Sequence, residues 1–208
     1  MKETKFIRDN GLKSAEKVIK GVPDKTATHY VFDTDTYFSE EFHTYFSHSL
    51  NDWEIADLHC VGDLEAVYEL VLDLSELKRM VKSVEGINNL SNFEFKGSNN
   101  LAWAQLILNH APIDSDAYSP ITKNYFYSPN IRFDFDKREW VDMDRGVDLD
   151  LYQEFIFIAE LDQWIQDYEL IYQPKCEHGF DVACLLCDFG TVDGERVYRN
   201  QGSSHEIK

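Results

Sequence analysis

Three cysteines and one histidine fall close together near the end of the sequence. They are Cys176, His178, Cys184 and Cys187. A Cys-x-His pair and a Cys-x-x-Cys pair supply three thiolates and one imidazole, a complete tetrahedral ligand set for Zn²⁺. Because the protein provides all four ligands, no position remains for a reactive water. The spacing therefore predicts a structural zinc ion in a zinc knuckle.

Two other interpretations of these cysteines stay open. One has free thiols with a histidine nearby by chance. The other has Cys184 and Cys187 as a redox pair, because Cys-x-x-Cys alone also suits disulfide exchange. Downstream, FGTVDGERVY places Asp193-Gly194 between two strand-like runs, which predicts a β-hairpin after the knuckle.

Carboxylates are the second chemical feature of the chain. The 208 residues include 38 Asp or Glu against 20 Lys or Arg, a formal net charge of -18. Residues 31–77 hold twelve acidic and no basic side chains, and residues 101–170 hold fourteen against five. Since nucleic-acid binders neutralise phosphates with cations, we expect a basic protein partner and no direct contact with nucleic acid. A solvated face that keeps the protein soluble is the alternative interpretation.

On the first interpretation, the carboxylates imitate phosphates and pair with Arg or Lys in the nucleic-acid groove of a host protein. The first set of candidates lies within residues 31–57: Asp33, Asp35, Glu40, Glu41, Asp52, Glu54 and Asp57. The second set lies in the later acidic stretch: Asp134, Asp136, Asp142 and Asp144.

The helical and strand-like patterns of the sequence predict an α+β fold, and these elements must position the candidate residues. Residues 3–20 have helical periodicity and stop at Gly21. THYVFDTDTYF, DWEIADLHCV and AVYELVLDL are short and rich in β-branched and aromatic residues, as expected for a small antiparallel sheet with flanking helices. Ser75 is a candidate N-cap for the helix ELKRMVKSVEGI.

A second α+β half follows a predicted loop at residues 86–100. LAWAQLILNH predicts a buried helix, YFYSPNIRFDFD and REWVDMD predict strands, and Leu149 to Tyr172 predicts the longest helix. We expect three domains: residues 1–90, residues 91–173 with the long helix, and residues 174–208 with the knuckle, the hairpin and a frayed tail, QGSSHEIK. No internal repeat is predicted.

Membrane and enzymatic functions have little support in the sequence. The longest apolar runs are far shorter than the roughly 20 residues of a membrane span, and the start, MKETKFIRDNG, has no apolar signal region. No Gly-rich phosphate loop or nucleophile elbow is present. Asp134, Asp136 and Lys137 resemble only faintly the metal-binding residues of nucleases. We therefore predict a protein that is not an enzyme.

The N-terminal region resembles a known group of proteins. FIRDNGLKSAEKVIKGVPDKTATHY and DLSELKRMVKSVEGINNL, within the first 90 residues, are similar to small accessory proteins of tailed phages and prophages of enteric bacteria. The resemblance implies a phage protein in the bacterial cytoplasm, a reducing compartment that suits thiolate-bound zinc. The acidic composition resembles that of phage proteins that imitate DNA and block restriction enzymes or CRISPR effector complexes.

We therefore expect a non-enzymatic inhibitor of a host defence effector that binds nucleic acid. One alternative is a zinc-stabilised adaptor that recruits or redirects a host protein through an aromatic surface. A second alternative is a metal-dependent enzyme that acts on nucleotides or nucleic acid. The sequence indicates no oligomeric state.

Overall fold

The fold is α+β and contains two five-stranded antiparallel sheets with several helices. The computed structural model describes residues 1–58, 60–90, 100–143 and 155–172, together with the backbone of three strands between residues 191 and 206. Residues 1–168 form one compact unit and residues 169–208 form another. We describe each unit by itself.

The first sheet is built from five strands. Two α-helices precede these strands in the sequence, one lies between the fourth and the fifth strand, and one follows the fifth. The elements are α1 Lys2–Asn10, α2 Leu12–Lys20, β1 His29–Val31, β2 Thr36–Ser39, β3 Thr44–Ser47, β4 Asp52–Ile55, α3 Val61–Val67, β5 Val71–Asp73 and α4 Leu74–Asn89. The strand order is β4-β3-β2-β1-β5. Strand β3 has no counterpart among the predicted strands.

The second sheet follows with a similar set of elements. They are α5 Asn100–His110, β6 Ala117–Ser119, β7 Asn124–Ser128, β8 Ile131–Asp134, β9 Glu139–Asp142, β10 Ile156–Phe157 and α6 Ile158–Tyr172. The strand order is β9-β8-β7-β6-β10. In both sheets a helix precedes four sequential strands, the fifth strand pairs with the first, and a long helix follows at once.

The two sheets are copies of one topology. Their cross-strand partners repeat: Tyr30 with Tyr37 and Phe46 with Trp53 in the first, Tyr118 with Tyr125 and Phe133 with Trp140 in the second. We name residues 12–90 the first repeat and residues 100–168 the second repeat. The strand order thus repeats although no internal repeat is visible in the sequence, because a few aromatic positions are preserved while most other residues differ.

A buried tyrosine ties the preceding helix to the sheet in each repeat. The Tyr37 hydroxyl donates to the Val18 carbonyl of α2 at 2.6 Å, and the Tyr125 hydroxyl donates to the Ile107 carbonyl of α5 at 2.6 Å. Burial raises the pKa of both tyrosines to about 12. The shared contact fixes each helix against the same face of its sheet.

Two predicted boundaries in the first repeat are wrong. The N-cap of α4 is Asp73, whose carboxylate accepts the amide hydrogens of Ser75 at 2.7 Å and Glu76 at 3.1 Å. The predicted strand AVYELVLDL contains the end of α3 and only the short β5. Leu64 of α3 packs in a core cluster with residues of the sheet, and this packing outweighs the strand propensity of the segment.

The predicted helix from Leu149 to Tyr172 is also shorter in the structure. Helix α6 begins at Ile158, because Ile156 and Phe157 pair with β6 as strand β10. Residues 149–154 lie outside the described part of the chain. The helix LAWAQLILNH is confirmed as α5.

Helices α4 and α6 join the two repeats through a buried polar contact. Asp167 of α6 is fully buried and accepts hydrogen bonds from Arg79 and, at 2.7 Å, from Ser83 of α4. Gly86 lies against the ring of Trp164, where a β-carbon would come within 2.6 Å of ring atoms. A side chain at Gly86 would therefore push the helices apart.

The C-terminal unit contains a three-stranded antiparallel sheet of β11 Thr191–Val192, β12 Glu195–Asn200 and β13 Ser203–Glu206. The predicted hairpin is confirmed by the pairing of β11 with β12. The prediction of a frayed tail is wrong over β13, since that strand pairs with β12. The zinc knuckle stays a prediction, because its residues lie outside the described part of the chain.

Candidate functional site

The first repeat places its candidate carboxylates at both ends of its sheet. The first trio lies at the end with the β1–β2 connection and the β3–β4 hairpin: Asp33, Asp35 and Asp52. The second trio lies at the other end, in the β2–β3 turn and after β4: Glu40, Glu41 and Asp57. Strands of four residues at about 3.4 Å each separate the ends by roughly 10–14 Å. Glu54 lies between the trios on β4.

Three of these seven carboxylates accept hydrogen bonds within the first repeat from residues that do not adjoin them in the sequence. The Asp35 carboxylate accepts the Tyr30 hydroxyl at 2.7 Å, and the Glu54 carboxylate accepts the Tyr45 hydroxyl at 2.8 Å. Burial, followed by the contact with Asp35, raises the pKa of Tyr30. The Asp33 carboxylate accepts the Leu70 amide at 3.3 Å. Substitution of these three would therefore disturb the fold as well as the surface charge.

The second trio is better placed to meet a partner. Glu40, Glu41 and Asp57 are all exposed, and their carboxylates make no hydrogen bond to another described residue. None of the seven candidate carboxylates of the first repeat forms an ion pair within the described ranges. Within the described part of the chain, their negative charges therefore remain available to an external cation.

The second acidic set has a different environment. The Asp134 carboxylate accepts the amides of Asp136 at 3.0 Å and Lys137 at 3.1 Å, and lies 3.8 Å from the Lys137 ammonium. The amide of Lys137, followed by that of Asp136 and the charge of Lys137, lowers the pKa of Asp134. Asp142 is exposed at the end of β9, and Asp144 lies outside the described residues.

The two repeats share one topology but differ in the charge of their strands and turns. The strands and turns of residues 29–55 hold six acidic side chains and no Lys or Arg. The equivalent residues 117–142 hold four acidic and four basic side chains. Only the first repeat therefore presents a sheet without cations.

Exposed aromatic and aliphatic groups were missed by reasoning from the sequence. In the second repeat, Tyr127 and Phe135 are about half exposed, and their rings lie 6.0 Å from Trp140 and Tyr125, respectively. In the first repeat, Ile55 at the end of β4 is 85% exposed. The alternation in Asp52-Trp-Glu-Ile55 indicates a strand with a polar and an apolar face, but it does not mark β4 as an outer strand.

No metal site is found in the described part of the chain. There, no three or more His, Cys, Asp or Glu side chains are grouped so that they could hold a metal ion, and Cys60 is exposed with a free thiol. The predicted zinc ligands Cys176, His178, Cys184 and Cys187 lie outside the described residues, so zinc binding stays a prediction.

Comparison of the chain with protein family models, with curated proteins and with solved structures finds no match. Among the described residues, no helix is both long enough and apolar enough to cross a membrane. The function must therefore be argued from the chemistry of the two repeats.

Proposed function

We propose that the protein is a non-enzymatic inhibitor that presents the acidic surface of its first repeat to a basic nucleic-acid-binding host protein. The partner is a defence effector of the CRISPR or restriction type, and the carboxylates occupy the groove meant for DNA or RNA. The observation that carries the proposal is the difference in charge between two repeats of one topology. The resemblance of the N-terminal region to phage accessory proteins is consistent with such a target.

The second repeat serves as an internal reference for what the fold requires. It reaches the same strand order with balanced charge, so the topology does not need a sheet without cations. Carboxylates closer together than a Debye length, about 8 Å in physiological salt, repel one another and destabilise the folded state. Solubility alone would be served equally well by charge spread over both repeats. A partner explains why the charge is concentrated in one.

The second trio provides the cleanest test, because the carboxylates of Glu40, Glu41 and Asp57 accept no hydrogen bond from another described residue. Each exposed ion pair contributes up to about 1 kcal/mol, so loss of all three should weaken a complex by up to about 100-fold. Single substitutions should have little effect. The triple variant Glu40→Lys, Glu41→Lys, Asp57→Lys is therefore the informative one.

The partner is first captured with the wild-type protein from lysate of enteric bacteria at low and at moderate salt. Affinity is then measured for the wild type, the triple variant and a control, Asp9→Lys, Glu85→Lys, Glu139→Lys. The control changes the net charge by the same amount at exposed positions outside the first sheet. We expect duplex DNA to compete, salt to weaken the complex, and only the triple variant to lose affinity. Full affinity of the triple variant would show the proposal to be wrong.

An adaptor that binds through an aromatic surface is the second candidate function. The half-exposed rings of Tyr127 and Phe135 favour it, because aromatic side chains are enriched at protein–protein interfaces. The variant Tyr127→Ser, Phe135→His removes this surface and leaves the first repeat intact. Binding that tolerates salt and is lost in this variant would favour the adaptor over the inhibitor.

A further inference from the structure

Strand β4 is the outer strand of the first sheet and pairs only with β3 among the described elements. The Ala56 amide donates to the His43 carbonyl at 2.9 Å, which continues the ladder beyond Ile55. In antiparallel pairs, backbone groups alternate between facing the partner strand and facing away. The backbone groups of Glu54 therefore face β3, and those of Trp53 and Ile55 face outward.

The outward backbone groups are only partly covered. The Trp53 amide donates to the Asp52 carboxylate at 2.8 Å. The alternation leaves the Trp53 carbonyl and both backbone groups of Ile55 on the open edge, where no described strand pairs with them. An incoming strand would find one donor and two acceptors there.

The side chains of β4 are sorted by face. Asp52 and Glu54 lie on one face of the sheet, and Trp53 and Ile55 lie on the other. Natural edge strands are commonly protected by charged residues. In the second repeat the position equivalent to Ile55 is Asp142, since each pairs with the first residue of the neighbouring strand. The second repeat therefore has a charge where β4 presents an isoleucine that is 85% exposed.

We infer that β4 accepts an extended segment of the partner as a sixth strand of the sheet. Main-chain hydrogen bonds to Trp53 and Ile55 would hold the segment. Its side chains alternate, with Lys or Arg facing Asp52 and Glu54 and with apolar residues facing Trp53 and Ile55. The positive charge of the segment rests on the proposed function, whereas the strand pairing rests on the backbone geometry.

The test uses the full-length protein and a synthetic peptide of alternating lysine and valine. A matched peptide carries N-methyl groups on the amides that would face β4, so its charge and side chains are unchanged while its donors are lost. Binding is followed by peptide fluorescence anisotropy. We expect the methylated peptide to bind at least about tenfold more weakly, because one or more hydrogen bonds are lost. Equal binding of both peptides, or no binding of the unmodified one, would overturn strand addition.

A pair of variants tests the same edge from the side of the protein. Ile55→Pro removes the outward donor, and proline is tolerated at such positions of edge strands. Ile55→Val keeps the donor and the apolar side chain. We expect a loss of affinity for the unmodified peptide of about five- to tenfold in Ile55→Pro alone. If both variants bind as the wild type does, strand addition is wrong, while the charge-reversal experiment still decides the proposed function separately.

Discussion

The buried contact between α4 and α6 allows a quantitative prediction for stability. The Asp167 side chain is 1% exposed and accepts hydrogen bonds from Arg79, from Ser83 at 2.7 Å and from Gln163 at 3.1 Å. The Arg79 side chain is 33% exposed and also pairs with Glu76 at 2.7 Å. The two partners are therefore not equivalent. Removal of Arg79 would leave a charged carboxylate out of water, whereas removal of Asp167 would leave a guanidinium that reaches water.

Removal of the cation should cost more than removal of the anion. Loss of one partner from a buried ion pair costs about 3–5 kcal/mol, and Ser83 and Gln163 still donate to the carboxylate, so Arg79→Met should destabilise the protein by about 3 kcal/mol. Asp167→Asn leaves a guanidinium that reaches water and Glu76, so it should cost about 1–2 kcal/mol. For a chain of this size, 3 kcal/mol corresponds to a fall in Tm of about 6–12 °C.

The assay is urea and thermal unfolding of both variants beside a control in the same interface. Lys82 pairs with Glu160 at 3.0 Å, but both side chains are about half exposed or more, so Lys82→Met should cost under about 1 kcal/mol. A larger loss for Asp167→Asn than for Arg79→Met would refute the reasoning. Equal losses for Arg79→Met and Lys82→Met would refute it as well.

Three further predictions concern the repeats and the cysteine cluster. Tyr37→Phe and Tyr125→Phe should each cost about 1 kcal/mol in urea unfolding, and the double variant should show the sum, because each removes one buried hydrogen bond in a separate repeat. Burial alone would raise the pKa of Asp73, but hydrogen bonds from Ser75 and Glu76 outweigh it and lower the pKa. The ionised Asp73 side chain therefore stabilises the folded protein above the usual Asp pKa, and this stabilisation is lost as pH falls through the lowered pKa. Asp73→Ala should remove about 1 kcal/mol at neutral pH, whereas Asp73→Asn should keep the cap and lose the acid dependence. Metal analysis should find about one zinc per chain, lost in Cys184→Ser; free alkylation of that thiol in the native protein, with no metal present, would contradict the zinc prediction.

Local sequence patterns predicted the fold class and several elements, but they did not predict that two sheets share the same strand order. The continuous apolar run of α5 and the amphipathic periodicity of the first helical region could be predicted. The tetrapeptide TYFS occurs twice and forms the adjacent strands β2 and β3. The predicted strand THYVFDTDTYF includes the first three residues of the first copy, and no predicted strand includes the second copy. The repeat itself is carried by strand order and pairing, which a sequence does not display.

The acidic surface could be predicted in part because charge is read directly from the residues. What the sequence could not show is which carboxylates are already engaged. Asp35 accepts the hydroxyl of Tyr30, five residues earlier, Glu54 accepts that of Tyr45 on the neighbouring strand, and Asp134 accepts amides in its own turn. These contacts depend on strand pairing. The sequence likewise could not show that the second acidic set shares its sheet with an equal number of cations.

The distance between the two trios limits which partners could contact both of them. Successive nucleotides of one DNA strand lie about 3.4 Å apart along the helix axis, so the roughly 10–14 Å between the ends of the first sheet corresponds to three or four steps. Strand β4 spans that same distance and carries Asp52 and Glu54 along one face. A basic segment paired with β4 would therefore run from one trio to the other. If both proposals hold, one partner would contact the acidic ends and the open edge together and would cover Ile55, which is 85% exposed in the free protein.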